Sequence, residues 1–205
     1  MGKVLFMRKG ETHTAPAKGL PSGYTKLEYI QSTGTQYIDT VFEPNNDTRV
    51  IMDAEYVGTG STSEWFFGCR GSTSLKFDFC VYNSKTVFYD AYESKNVTYK
   101  VEDSRHLIDK NKNVTSIDGS VVNTFDISTF SAGQNLYLLA LNNAGTLTRP
   151  APAKLYSCQI YDNDVLVRDF VPCIKDDGTV GLYDLVGKQF YGNAGTGTFT
   201  GSEVA

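Results

Sequence analysis

The sequence has few of the residues that most often carry catalysis or bind metals. Among its 205 residues there are two histidines, one tryptophan and four cysteines. No two cysteines stand two residues apart and none adjoins a histidine, so no zinc-ligand spacing occurs. We expect reduced thiols in or beside strands. Of the four, Cys158 and Cys173 lie on or just beyond adjacent predicted strands and are the pair best placed for a disulfide.

A basic surplus and a long apolar run are also lacking. The formal net charge is -4 and the pI is about 5.2, which is the opposite of the basic surface that a phosphate backbone selects. Nucleic-acid binding is therefore not expected. The longest apolar run near the N-terminus covers residues 4–7, too short for a signal-peptide core or a membrane span. We expect synthesis in the cytoplasm without a signal peptide, and no membrane span.

Aromatic residues, by contrast, are abundant and follow a period of two. There are 13 tyrosines and 12 phenylalanines, which suit the pleated, half-buried surface of a sheet. Val50, Met52, Ala54 and Tyr56 alternate with their neighbours, and residues 75–82, 87–92 and 97–102 repeat that rhythm. Strands are also predicted over 155–161 and 165–171, and a central strand over the apolar run 136–141. The pattern predicts an all-β, two-sheet antiparallel sandwich.

The segments between these runs set the predicted domain boundaries. Asp118-Gly119 lies between two β-rich arms and predicts a hairpin with a type I′ turn. Residues 102–110 and 126–132 are each expected to hold a short helical turn. We divide the chain into an N-terminal arm and linker (1–23), one sandwich domain (24–200) and a C-terminal tail (201–205). The arm is either an attachment segment or a frayed terminus.

Candidate catalytic groups are sparse. A Ser–His–acid arrangement could pass through His106, but no Gly-x-Ser-x-Gly elbow accompanies it. Asp53 and Glu55 share one strand face, with Glu64 and Asp78 elsewhere, whereas a glycosidase needs two carboxylates facing each other across a cleft. Acids on one face of a half-buried strand are typical of its solvated side. We therefore predict that the protein is not an enzyme.

Acidic and glycine-rich turns complete the search for cofactors. Residues 162–164 and 176–178 offer carboxylates that would suit Ca²⁺, but adjacent acids in a turn are most often turn formers. The glycine-rich stretch 192–198 has no helix after it, so it is not a phosphate loop. No cofactor is expected, with Ca²⁺ as the one ion that these loops would suit.

Aromatic residues around one predicted hairpin are the best candidates for ligand binding. An exposed tyrosine or tryptophan can stack on the apolar C–H face of a sugar ring, while amides, acids and arginine bind its hydroxyls. The alternative is that these rings fill the core of the sandwich. The candidate ligand-binding residues are Trp65, Arg70, Tyr82, Asn83, Tyr89, Asp90 and Tyr92.

Several strings resemble one known family. Residues 27–40 (LEYIQSTGTQYIDT) resemble the opening of LamG-like, concanavalin A-like jelly-roll domains of phage and prophage tail and surface proteins from gut Firmicutes. The stretches 154–162, 167–173, 181–186 and 190–197 are similar to the closing part of that family, and residues 1–10 to its leader segments. The resemblance implies two curved antiparallel sheets, and it implies no catalytic residue. Because the fold hosts lectins, adhesion modules and glucanases, it does not fix the function.

The resemblance and the residues together give three hypotheses. The first is a non-catalytic module of a phage-type tail or surface protein that binds cell-surface glycan, with affinity supplied by many copies. The second is a purely structural decoration or spacer domain, and the third a glycoside hydrolase. For the first we expect location in the virion, attachment to other virion or tail proteins through the N-terminal arm, and a homo-oligomer.

Overall fold

The computed structural model describes residues 19–204, which form eighteen strands and no helix. Residues 1–18 of the predicted arm lie outside the described part of the chain. In chain order the strands are β1 (Tyr24–Gln31), β2 (Ile38–Asp39), β3 (Thr48–Tyr56), β4 (Glu64–Ser72), β5 (Leu75–Val81), β6 (Val87–Tyr92), β7 (Lys95–Lys100), β8 (Arg105–Asn111), β9 (Val114–Ile117), β10 (Ser120–Thr124), β11 (Tyr137–Leu138), β12 (Leu141–Asn143), β13 (Thr146–Thr148), β14 (Ala153–Asp162), β15 (Val165–Lys175), β16 (Val180–Asp184), β17 (Gln189–Tyr191) and β18 (Thr200–Glu203).

The strands make two sheets that pack as a sandwich, consistent with the predicted jelly roll. The ten-stranded sheet has the order β10-β9-β8-β3-β14-β1-β15-β16-β17, with β18 paired to β1. The eight-stranded sheet has the order β13-β12-β4-β5-β6-β7, with β11 between β4 and β2. Pairing is antiparallel apart from β12, which runs parallel to β4. The all-β fold predicted from the period of two is confirmed.

The core lies between the sheets and follows the predicted alternation. Along β3, Val50, Met52 and Ala54 are buried, while the residues between them are partly exposed. The eight-stranded sheet contributes mainly phenylalanines, and the rings of Phe67 and Phe79 stack with centroids 5.8 Å apart. Burial of each such side chain stabilises the fold by roughly 1.5–3 kcal/mol. The four cysteines are free and buried, and Cys158 pairs in register with Phe170 rather than with Cys173.

The predicted hairpin turn is confirmed in its backbone conformation. Asp118 and Gly119 join β9 to β10 with φ of 51° and 81°. Positive φ at both central residues is what a type I′ turn requires.

Two local predictions were wrong. The run 136–141 is not one strand, because Leu139 has a φ of 62° and separates β11 from β12. The chain stays buried through this bend, so apolar composition alone could not reveal it. Of the two predicted helical turns, residues 105–110 belong to β8 and residues 126–132 form no helix.

The domain extends past the predicted boundary at residue 200. The segment predicted as a tail contains most of β18, which pairs with β1 through Glu203 opposite Leu27 and Gly201 opposite Ile30. Phe199, just before β18, is buried at 4% exposure and anchors this strand in the core.

Candidate functional site

The candidate site lies on the outer face of the eight-stranded sheet. In β5, Phe77 and Phe79 face the core, so the alternating residue Asp78 points outward. The register places Trp65 on β4 opposite Cys80 on β5, and Cys80 opposite Tyr89 on β6. The outer aromatic cluster, as we call this group, consists of Trp65, Arg70, Asp78, Tyr82 and Tyr89.

Asp78 holds the cluster together from a fully buried position. It accepts hydrogen bonds from Nε and Nη2 of Arg70, at 2.7 and 3.0 Å, and from Nε1 of Trp65, at 2.9 Å. The guanidinium carbon of Arg70 then lies 5.3 Å from the centroid of the Trp65 ring and 5.8 Å from that of Tyr89. Such cation–π contacts add to the ion pair, so Arg70 is held in one orientation.

Two tyrosines form the exposed part of the cluster. The rings of Tyr82 and Tyr89 stack with centroids 5.5 Å apart, and Tyr82 is 42% exposed. Trp65 is only 8% exposed, so it supports the surface from behind. Asn83 follows Tyr82 in a turn with a φ of 54°, where its side-chain oxygen accepts a hydrogen bond from Ser63. Five predicted ligand-binding residues therefore lie in one region, though a role in binding stays a prediction.

The other two predicted residues face the opposite way, and this is a correction. Asp90 and Tyr92 alternate with Tyr89 along β6, so both point into the core, at 0% and 1% exposure. Asp90 forms an ion pair with Lys110 of the ten-stranded sheet and accepts a hydrogen bond from Thr115. A group sealed between the two sheets cannot contact a ligand at the surface, and we remove both residues from the site.

The electrostatics of the cluster favour fixed protonation states at neutral pH. Burial lowers the pKa of Arg70, but its hydrogen bonds to Asp78 outweigh that effect and the pKa is raised overall. Burial, together with the negative charge of Asp78, raises the pKa of Tyr89 to about 12. The cluster therefore presents a permanent cation beside the neutral phenol ring of Tyr89.

These contacts also limit what the acids can do chemically. Both oxygens of Asp78 accept hydrogen bonds from donors that keep their protons, so Asp78 is poorly suited to act as a general acid or base. On the other sheet, Asp53 forms a two-point ion pair with Arg105, and Glu55 accepts from Tyr156 and Lys154. The expected solvated face is thus a network of ion pairs.

The geometry around His106 resembles a triad but lacks its proton path. Nδ1 lies 2.8 Å from Asp118 and Nε2 lies 3.4 Å from the Ser104 hydroxyl. Nε2 is closer still, at 2.9 Å, to the carbonyl oxygen of Glu102. A nitrogen that donates to a carbonyl cannot take the proton of a serine, so this arrangement holds the chain in place.

The acidic turns considered for Ca²⁺ are occupied by protein partners. Asp162 accepts from Asn45 at 3.1 Å, and Asp164 pairs with Lys112 at 3.1 Å. Asp177 pairs with Lys175 and accepts from the backbone N–H of Thr179. Within residues 19–204 no three side chains of His, Cys, Asp or Glu come together as a metal site.

Comparison with known proteins leaves the family open. No family model matches the chain, and no curated protein matches it. The LamG-like resemblance therefore stays an expectation, while the sandwich fold rests on the structure. Residues 19–204 contain no helix, and so no helical membrane span.

Sequence reasoning missed the residues that organise the cluster. The sequence presents Asp78 only as an acid, yet it fixes both Arg70 and Trp65. Residues 68–71 have the composition of a turn, but Gly68 lies inside β4; a Cβ there would lie 2.6 Å from the Asp78 Cβ and 2.9 Å from a Leu141 methyl. The alternation of Asp78 with phenylalanines was a usable sequence signal for the position of Asp78. The sequence gives no such signal for Gly68, because its role depends on contacts between strands.

Proposed function

We propose that the sandwich is a non-catalytic module that binds cell-surface carbohydrate through the outer aromatic cluster. The observation that carries this proposal is the exposed Tyr82–Tyr89 stack beside Arg70, whose orientation Asp78 fixes. A sugar ring would place its apolar C–H face on the tyrosine rings. Asp78 takes Nε and Nη2 of Arg70, which leaves Nη1 to donate to a hydroxyl group.

The proposed setting is a phage-type tail or surface protein. It is supported by the resemblance of residues 27–40 and of the closing strings to that class, and by the resemblance of residues 1–10 to its leaders. In this proposal the arm attaches the module to other virion or tail proteins, and the module acts as a homo-oligomer. Many weak sites on one particle would then bind a cell tightly, because linked sites raise the effective concentration of one another.

A structural spacer is the second candidate, favoured by the low exposure of Trp65. A stacking residue in a carbohydrate site needs an open ring face, whereas Trp65 is 8% exposed and Tyr92 1%. In the spacer hypothesis the cluster only stabilises the sheet. The glycoside hydrolase hypothesis has less support, because the acid of the cluster already binds Arg70 and Trp65.

A glycan array tests the proposal directly. The purified protein, multimerised on streptavidin, is applied to an array of bacterial capsular and cell-wall polysaccharides. We expect binding to at least one polysaccharide. Tyr82→Ala should lower the affinity about ten-fold, because it removes one contact between an aromatic ring and the sugar. Tyr29→Ala is the matched control, because Tyr29 is also a ring-paired tyrosine with part of its surface in solvent, at 5.4 Å from Tyr156, but lies on the ten-stranded sheet.

The outcome separates the candidates. Folded protein that binds no polysaccharide would exclude carbohydrate binding and leave the spacer. Binding that Tyr29→Ala reduces as much as Tyr82→Ala would place the site elsewhere. Release of reducing sugar from a bound polysaccharide would point to the hydrolase.

A further inference from the structure

A cleft of about 400 Å³ lies between the segments 34–37, 147–150 and 194–196, outside the cluster just described. Its lining residues include Thr35, Tyr37, Leu147, Pro150 and Gly195. The volume lies within the range of small-ligand sites. Leu147 is 40% exposed, so an apolar wall of the cleft is open to solvent.

The loop that closes the cleft is held by Asn193. The Asn193 side chain accepts from the backbone N–H groups of Tyr37 and Gly195, at 3.1 and 2.8 Å, and donates to the carbonyls of Thr196 and Gly197. A Cβ on Gly195 would clash with the carbonyl group of Thr35. The glycine-rich stretch 192–198 therefore has a defined role: it packs tightly against residues 35–37 and shapes the cleft in advance.

The cleft and the outer aromatic cluster lie on the same face of the molecule. Ile38 belongs to the core, so Tyr37 before it points outward, and its ring lies 4.6 Å from that of Tyr137. Tyr137 pairs in register with Gly68 of β4, next to the cluster. On the other wall, Pro150 forms a β-bridge with Trp65.

The distance between the two sites follows from the strand order. From β2, next to Tyr37, the sheet passes through β11, β4 and β5 to β6, which carries Tyr89. Four strand spacings of about 4.8 Å put Tyr37 about 19 Å from Tyr89, although the two sites adjoin at their near edges, where Pro150 pairs with Trp65. A ligand that contacts both Tyr37 and Tyr89 therefore needs several sugar units, because a disaccharide is shorter than that span.

We propose that the cleft is a second subsite for the same carbohydrate, so that the ligand is an internal stretch of a linear polysaccharide and not a terminal sugar. This inference rests on the proposed function. No charged side chain is among the described residues that line the cleft. The unit bound there is therefore a neutral sugar, with its C–H face against Tyr37 and Leu147, because a carboxylate or phosphate would lose its hydration without a cationic partner.

Chain length is the variable that tests this inference. The probes are di-, tetra- and hexasaccharides of neutral linear glucans, mannans, galactans and rhamnans, measured by calorimetry with the whole protein. We expect the hexasaccharide of the recognised polymer to bind at least ten-fold more tightly than its disaccharide.

Variants at the cleft separate the two sites. Leu147→Asp places a charge on the apolar wall, and Ala194→Arg fills the cleft from an exposed position. Each is expected to weaken hexasaccharide binding about ten-fold and to leave disaccharide binding unchanged. Val165→Asp, at a residue that is 63% exposed and outside the cleft, is the control. Circular dichroism and thermal melting verify that each variant is folded.

Each result decides between the two proposals. Equal affinity for di- and hexasaccharide, or no effect of either cleft variant, would overturn the second subsite and leave the carbohydrate function standing. Failure of every neutral oligosaccharide to bind, when the array still shows a bound polysaccharide, would overturn the neutral subsite and leave the proposed function standing; failure on the array as well would overturn both. Loss of disaccharide binding in Ala194→Arg would show that the cleft is the primary site, and would also contradict the inference.

Discussion

Arg70 and Asp78 form a two-point ion pair across neighbouring strands, with N–O distances of 2.7 and 3.0 Å. Asp78 is fully buried, whereas the Arg70 side chain keeps 23% of its surface exposed. The pair therefore carries a buried negative charge at one end and presents a fixed cation at the surface. Because Trp65 donates to the same carboxylate, one residue positions the whole outer aromatic cluster.

We expect Asp78→Asn to destabilise the protein by about 3 kcal/mol, because breaking a buried pair leaves Arg70 without its counter-charge. Urea unfolding measures the change. Asp126→Asn is the matched control: its partner Lys95 lies at a similar 2.8 Å, but the Asp126 side chain is 90% exposed. Loss of this exposed ion pair should have no measurable effect on the free energy of unfolding. Equal stability of Asp78→Asn and the native protein would show that the ion pair contributes nothing.

A methyl group at position 68 should disturb the same cluster sterically. In Gly68→Ala the new Cβ would lie 2.6 Å from the Asp78 Cβ, 2.9 Å from Leu141 and 3.1 Å from Trp65. Overpacking of this kind costs roughly 1–3 kcal/mol. The expected result is a lower free energy of unfolding and a change in tryptophan fluorescence, since Trp65 is the only tryptophan. Gly19→Ala, where a Cβ meets nothing within 4 Å, should change neither measurement.

The strands could be predicted from the sequence because alternation is a local property. Burial along β3 follows the predicted set of Val50, Met52, Ala54 and Tyr56, and the Asp118-Gly119 turn has the backbone that its residues require. Neither depends on distant contacts. The bend at Leu139 was missed because residues on both sides of it are buried. An unbroken apolar run shows no alternation, so it does not reveal where one strand ends and the next begins.

The site was only partly predictable, because the orientation of β6 depends on a partner in the other sheet. The sequence predicts Tyr89, Asp90 and Tyr92 all at the surface, although alternation along β6 puts Tyr89 on the face opposite to the other two. Asp90 and Tyr92 face the core, where Lys110 on β8 supplies a counter-charge. No local pattern links residues 90 and 110. Because of this buried charge pair between the sheets, Asp90 and Tyr92 face the core and not the surface, contrary to the prediction.

The Asp90–Lys110 pair itself should behave as a unit. Lys110 lies between aromatic rings, 5.0 Å from the centroid of Phe77 and 5.5 Å from that of Phe125. We expect Lys110→Met to cost roughly 3–5 kcal/mol, because it leaves Asp90 charged and without a cation in the core. Urea unfolding of the single variant gives this value.

The double variant tests the reason for that cost. Lys110→Met combined with Asp90→Leu removes both charges and should recover most of the lost stability, since apolar replacements of a buried pair are often neutral. A double variant as unstable as the sum of the single variants would mean that the charges do not interact. The coupling free energy of this cycle is the decisive quantity.

Buried phenols should make the protein sensitive to alkali. Burial raises the pKa of Tyr89 and of Tyr137 from 10.0 to about 12, and it raises that of Tyr99 further. The unfolded chain therefore loses these protons near pH 10 while the folded protein keeps them. Stability is fully present below pH 10 and falls as the pH rises from 10 to about 12.

Urea unfolding at several pH values from about 8 to about 11, with phenolate absorbance followed in parallel, measures this effect. The free energy of unfolding should be flat at first and then decline, with part of the phenolate signal appearing only on unfolding. Tyr89→Phe removes one of the groups and should make the decline shallower. Ionisation of all the tyrosines in one transition with an apparent pKa of about 10, in protein that keeps its far-ultraviolet circular dichroism, would contradict the prediction, because it would mean that burial does not shift these phenols.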